Sequence, residues 1–282
     1  MSKEMKWYEL RLYPNFKDGE EEMLNLLYRV NEFAVFILRK ASMTRVLVRA
    51  DGINAMHFAR ITNARLERLE WNPSLRYGFT RYYRMKTHYA LPIVQEVRPS
   101  ILYTMLEELD SNSNDMECIF ACYAKHRDEA YSINRWIMSK EGNEHAFVKA
   151  MKSLFTSNSK GSEKARRPSP LTESMIERAR WKMRLKHFHT VIALGADDAR
   201  VLDMLESALP YGLVAYKNVE ENAHLSDLSG IVERADMLKK CILSDIELAS
   251  IVALPKDASR LRLTTADMRT FTTGLVVDAD ML

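Results

Sequence analysis

Apolar and polar residues alternate through Trp7-Tyr8-Glu9-Leu10-Arg11-Leu12-Tyr13 and stop at Pro14, the two-residue period of a strand with one face buried. From Glu20 to Asn31 the period changes. Met23, Leu24, Leu27, Tyr28 and Val30 fall near helical spacing after an acidic first turn, which suits the helix dipole. Two apolar runs follow, Phe33 to Ala41 and Met43 to Ala50, on either side of Ser42, and predict an antiparallel hairpin. Asp51-Gly52 closes it, Ile53 to Leu69 reads as a second helix, and Leu75 to Met85 as an aromatic, arginine-rich strand. The order β-α-β-β-α-β is that of a ferredoxin-like domain over residues 1–92. That superfold hosts many functions and by itself selects none.

Past residue 92 the pattern is less regular and predicts a second α/β sandwich domain over 93–256, so the fold class expected is α+β. Pro99 to Leu109 reads as a helix, Glu117 to Lys125 as a strand, and Arg127 to Phe155 as helix with a break near Gly142. Residues 156–168 are polar, basic and without apolar anchors, the composition of a mobile loop. Ser169-Pro170 opens a long helix with an apolar stripe at Leu171, Met175, Ala179 and Met183. KHFHTVIAL (Lys186 to Leu194) is a strand, Asp197 to Leu209 a helix, Leu213 to Tyr216 a short strand and Val232 to Leu243 a helix. Ser244-Asp-Ile-Glu247 has the form of a capping box and starts a short helix that stops before Pro255. Residues 257–282 show no clear period and read as a peripheral tail.

A chain of 282 residues with 47% hydrophobic and 28% charged residues is an ordinary globular composition with room for a large core. No run of about 18 apolar residues and no signal-peptide core is present, so neither a membrane span nor secretion is expected and the default location is the cytoplasm. Three cysteines, Cys118, Cys122 and Cys241, in apolar settings read as small core residues rather than a disulfide framework or a metal site. Lys and Arg exceed Asp and Glu by 41 to 38, too small a margin for a global grip on nucleic acid, though a local patch remains open. The 9 glycines form neither G-x-x-x-x-G-K-[ST] nor G-x-G-x-x-G, which excludes hydrolysis of ATP by a P-loop in this chain. A G-x-S-x-G nucleophile elbow is also absent.

Four groups could carry chemistry. His187 and His189 flank Phe188 on one face of a strand, as in metal-dependent His-hydrophobe-His DNA-nicking enzymes. Such a site also needs a tyrosine on a nearby helix, whereas Tyr211 and Tyr216 lie in a turn and a strand, and no third ligand is placed, His224 or His145 being the residues available. Two solvated or satisfied histidines are the simpler expectation. Asp197 and Asp198 stand where a strand enters a helix, a place for a metal or ribose contact, with Asp197 as helix N-cap favoured. The run LRYGFTRYYRMKTHY could stack bases through Tyr77, Phe79, Tyr82 and Tyr83 with Arg81 alongside, or be a strand packed on one face. Lys160, Lys164, Arg166 and Arg167 in the basic loop could touch phosphates. No cofactor is expected.

Several segments in order resemble the region ahead of the motor domain in conjugation and type IV secretion ATPases of the HerA/FtsK superfamily. WYELRLYP with its acidic helix, the hairpin FAVFILRKASMTRVLVRA, Pro99 to Leu109 followed by ECIFACYA, and the helix-to-strand passage ERARWKMRLKHFHTVIAL are similar to that region in turn. The most specific piece is Ser244-Asp-Ile-Glu-Leu-Ala-Ser-Ile-Val-Ala-Leu-Pro255, similar to the "ELA…LP" box that closes it. The resemblance implies a homo-oligomer packed around a hexameric motor ring, with a fused or separate ATPase, other secretion or conjugation components, and translocating DNA as partners. The family's catalytic residues lie in P-loop and Walker B segments that this chain lacks, so none is carried over. What is implied is a non-catalytic assembly or substrate-guiding module. The alternatives are a His187/His189 nicking enzyme and a single-stranded nucleic-acid binding protein.

Overall fold

The computed structural model describes residues 4–12, 19–40, 43–62, 64–70, 73–93, 117–141, 169–220 and 224–253. In chain order the elements are β1 (Lys6–Leu12), α1 (Gly19–Arg29), β2 (Glu32–Lys40), β3 (Met43–Ala50), α2 (Gly52–Ile61), β4 (Ala64–Arg68) and β5 (Phe79–Met85). They continue as β6 (Cys118–His126), α3 (Ala130–Lys140), α4 (Pro170–Met183), β7 (His187–Ala196), α5 (Ala199–Ser207), β8 (Leu213–Glu220), β9 (Cys241–Ser244) and α6 (Asp245–Val252). Helix starts follow local chemistry. Asp51 accepts the Asn54 N–H at 2.8 Å ahead of α2, and Ser169 accepts that of Thr172 at 3.3 Å with Pro170 in the first turn of α4. The box at Ser244 is reciprocal: its Oγ accepts from Glu247 N at 3.3 Å while Glu247 Oε2 accepts from Ser244 N at 2.7 Å. The chain is thus mixed α/β, within the α+β class.

Among the described residues nine strands join one antiparallel sheet in the order β4-β1-β3-β2-β6-β7-β5-β8, with β9 taking the remaining edge of β7. The four strands first in the chain run 4-1-3-2, and the next four run 2-3-1-4, so the order mirrors itself across the β2–β6 seam. That seam pairs Glu32 with Lys125 through Arg39 with Cys118. β7 is the busiest strand: β6 pairs along it from Phe188 to Ala196, while β5 covers one end of its other edge and β9 the opposite end.

One face of the sheet carries the helices. Leu26, Leu27 and Val30 from α1 and its end, Phe58 from α2, Leu202 and Leu205 from α5, and Leu248 and Ile251 from α6 pack with Val35, Val48, Phe120 and Ile192. The other face is covered by residues 224–240, three short 3-10 turns whose Leu228, Ile231, Ala235 and Leu238 lie over Trp7, Phe36, Ala121 and Val191. Arg49 holds this strap by a bidentate pair with Glu233, and its guanidinium stands 5.5 Å from the Trp7 ring centre. A smaller third cluster, Leu91, Ile133, Ile137, Ile176 and Ala179, joins α3 to α4.

The sheet corrects several expectations. The fourth strand of the first motif is Ala64–Arg68, not Leu75–Met85; it pairs with β1, whereas Phe79–Met85 pairs with β7 and β8. The second helix therefore ends early, at Thr62, whose N–H and Oγ1 both donate to Phe58 O. No helix spans Val232–Leu243; a 3-10 turn and β9 occupy it, because Cys241 and Leu243 are drawn into the core beside β7. α4 buries Ile176, Ala179 and Lys182, with Met175 and Met183 packed half-buried against the same cluster; of the expected stripe Leu171 alone turns outward, 73% exposed. Asp198, not Asp197, caps α5 by accepting from Arg200 N at 2.8 Å; Asp197 instead accepts from Gly78 N. The helix expected over Pro99–Leu109, the loop 156–168, the tail 257–282 and the continuation of α3 past Glu141 lie outside the described residues.

Candidate functional site

A concave pocket of about 360 Å³ opens on α3, lined by Tyr89, Tyr131, Ser132, Arg135, Trp136 and Ser139. Helical spacing builds most of it: Tyr131 and Arg135 stand one turn apart, as do Ser132 and Trp136, with Ser139 the next turn on. The opposite stripe, Ile133 and Ile137, is buried against α4, so the aromatic stripe is turned outward by packing behind it. Tyr131 is 81% exposed.

The remaining wall comes from residues 88–93, held down by three bonds from elsewhere. Arg178 donates to Pro92 O at 3.0 Å, Lys182 to Leu91 O at 3.4 Å, and Ile93 N donates to Glu247 Oε1 at 2.6 Å. This sets Tyr89 against α3, its hydroxyl donating to Ser132 O at 3.3 Å. The His88 ring stacks on Trp136 at 5.2 Å and 23°, and lies 4.3 Å from that of Tyr89. Lys140 Nζ stands 5.8 Å from the Trp136 ring centre. Desolvation and then Lys140 lower the His88 pKa, keeping that ring in its neutral, stacking form. Among the described residues no carboxylate lines the pocket, and the charged lining residue there is Arg135.

Behind the helix start sits the histidine pair. His187 is buried: its Nε2 hydrogen-bonds Lys182 O at 3.0 Å, and its Nδ1 accepts from Glu129 N at 3.4 Å. Burial, the largest influence, lowers its pKa. With Nε2–H donating and Nδ1 accepting, the neutral ring has no nitrogen left for a metal. His189 Nε2 meets Glu129 Oε1 at 2.6 Å. Burial opposes charge on Glu129, but hydrogen bonds from Ser132 and His189 and the nearby Arg127 outweigh it and hold its carboxyl below the usual range. Among the described residues no three His, Cys, Asp or Glu side chains are grouped to hold a metal ion. The two imidazoles therefore anchor the α3 start to β7.

Arg81 and Tyr82 adjoin in β5 but do different work. Arg81 Nη1 lies 2.6 Å from both Asp203 and Glu206 of α5, tying that helix to the sheet. Tyr82 is fully buried and donates its hydroxyl to Leu225 O at 2.8 Å, so in this fold it has no ring face to offer a base. Tyr77 and Tyr83 are buried too; Phe79 is 40% exposed. Of the two readings of this run, stacking and a packed strand, burial of Tyr77, Tyr82 and Tyr83 favours the packed strand: both faces of β5 are covered, by α5 and by the strap. Tyr211 is exposed beside Lys86, and Tyr216 OH accepts from Lys239 N. Lys160, Lys164, Arg166 and Arg167 lie outside the described residues. Cys118, Cys122 and Cys241 are free and buried.

Among the described residues the pocket gathers four rings, His88, Tyr89, Tyr131 and Trp136, beside Arg135. Tyr131 and Trp136 are not marked by the sequence patterns, and Tyr89 ends the aromatic run without being singled out in it, although Tyr131 and Arg135 opposite the Ile133/Ile137 stripe are a readable outward face. Among the described residues no helix is long and apolar enough to cross a membrane. The chain matches no family model and no curated protein.

Proposed function

We propose that this chain is a non-catalytic module that assembles with, or guides substrate into, a DNA-transfer ATPase of the HerA/FtsK kind. The observation that carries the proposal is the state of the Ser244–Pro255 box on which the resemblance rests most heavily. Its described part is the β9–α6 corner, capped at Ser244, with Asp245 and Glu247 to Val252 buried. A segment this closely tied to α1, α4 and the 88–93 wall suits a rigid mount better than a reactive site. The strand order 4-1-3-2 supports a ferredoxin-like first unit, and its mirrored repeat supports a second unit of the same kind. Homo-oligomerisation, a separate or fused motor and contact with DNA belong to the same proposal.

Reconstitution tests it. Mixed with a purified P-loop motor of the DNA-transfer class, the chain is expected to co-elute as a stoichiometric complex and to hydrolyse no ATP alone. Hydrolysis by the chain alone, or manganese-dependent nicking of single-stranded DNA abolished by His187→Ala with His189→Ala, refutes it.

A further inference from the structure

We propose that His187 is a proton-operated latch: neutral, it ties both ends of the α3–α4 lobe to the sheet, and on taking up a proton it lets go of the start of α3. The inference goes beyond the module proposal and does not rest on it.

The lobe leaves the end of β6 through residues 127–129 and returns to the start of β7 through residues 184–186. His187 touches both roots. Its Nε2 donates to Lys182 O at 3.0 Å, at the end of α4, and its Nδ1 accepts from Glu129 N at 3.4 Å, just ahead of α3. Its carbonyl accepts from Arg127 N at 3.1 Å and lies 3.0 Å from His126 Nδ1. One donor and one acceptor are the inventory of a neutral imidazole, whereas an imidazolium has two donors. A proton on Nδ1 sets one N–H against the Glu129 N–H, so that contact has to break. A new acceptor stands close by: Asp128 Oδ1, 3.7 Å away on a side chain 77% exposed. Exchanging Glu129 N for Asp128 shifts the 127–129 link and the first turn of α3, where Ser132 O meets the Tyr89 hydroxyl. Glu129 makes no side-chain cap bond to that turn; its carboxylate is engaged by His189 at 2.6 Å.

The surrounding charges are mixed. Lys182 of α4 opposes a proton on His187, while Asp128 and Glu129 favour it. Asp245, buried beside the Ser244 that pairs with His187, favours it too. Glu247 is taken up by Lys182, and Arg127, His126, Lys186 and His189 complete the titratable surround. Burial is the largest influence and lowers the His187 pKa, so the closed latch binds a proton less readily than a solvated ring. The open form therefore holds more protons, and acid opens it below about pH 6.5, by up to about tenfold per pH unit. The Glu129 carboxyl is held below its usual range, so it stays charged on His189 and the turn pivots there.

The test is hydrogen exchange of the full chain, followed residue by residue by NMR between about pH 7.5 and 5.5, with each rate divided by its intrinsic rate at that pH. Protection of Ile133 N, which donates to Glu129 O, should fall about tenfold relative to amides of β6 and β7. His187→Gln, whose amide also offers a donor and an acceptor, should abolish the fall. Asp128→Asn keeps an acceptor for Ala130 N but removes a charge that favours the proton, so the fall should move to lower pH. Its side chain is exposed, so its melting temperature near pH 7.5 should match wild type, and it decides the matter should His187→Gln fail to fold. A purely structural His187 leaves Ile133 in step with the strands at every pH, and that result overturns the latch. Equal loss of protection in β6 and β7, a fall that survives His187→Gln, or one that Asp128→Asn leaves at the same pH overturns it as well.

Discussion

Lys182 and Glu247 are both fully buried, with Nζ 2.9 Å from Oε2. Lys182 also donates to Ile242 O at 2.7 Å, and Glu247 accepts from Ser244 N and Ile93 N. At that separation two unit charges attract by about 6 kcal/mol for an effective dielectric near 20, comparable to the several kcal/mol it costs to desolvate each ion. The intact pair is therefore close to neutral for stability, whereas removing one partner strands the other. Lys182→Met should cost about 3–4 kcal/mol, and Glu247→Gln a similar amount. The double variant should lose no more than about 1 kcal/mol, since no buried charge remains and the intact pair is itself near neutral. Urea unfolding followed by far-ultraviolet circular dichroism measures all four corners of the cycle. A coupling of at least about 2 kcal/mol is expected; additivity within about 0.5 kcal/mol would refute the pairing.

Other consequences are as direct. A Cβ on Gly195 would stand 2.9 Å from Ile119 Cγ2 and 3.1 Å from the Tyr77 ring, so Gly195→Ala should destabilise by about 1–3 kcal/mol, read from the same denaturation curves. Burial lowers the pKa of His187 from 6.5, so between its folded value and 6.5 the unfolded chain binds more protons and stability rises with pH. It should fall as pH drops below about 6.5, by up to about 1.4 kcal/mol per pH unit, and His187→Gln should remove that share of the slope. Burial pushes the Cys118 and Cys241 thiols up to about 12 and the Cys122 thiol up as well. A thiol reagent at pH 8 should label none of the 3 cysteines in native protein and all of them in urea. Fast native labelling would place at least one of them at the surface.

Local chemistry was legible where it is self-contained. The β1 strand, the β2–β3 hairpin, the Ser169-Pro170 start and the Ser244–Glu247 box depend on residues within a few positions of one another and all appear as expected, although β1 is buried on both faces rather than one. The misreadings share a cause: partners distant in the chain. β4 is five residues of mixed polarity, recognisable as a strand only once β1 lies beside it. β5 looks like the end of the first motif but is claimed by β7, more than 100 residues later. Lys182 reads as a solvated helix residue until Glu247 arrives from 65 residues on. The pocket stayed hidden for the same reason, because residues 88–93 become a wall only through bonds from α4 and α6.

The seam between β2 and β6 carries a practical lesson about dividing this chain. β2 has five consecutive buried residues, Phe33 to Ile37, and no charge or proline between Glu32 and Arg39. Natural sheet margins are normally blunted by such residues. A fragment carrying only the first four strands would bare this apolar margin to solvent. It would zip onto another copy of itself or precipitate, so each half of the chain acts as the other's chaperone, and fragments intended for separate study need β2 or β6 covered first.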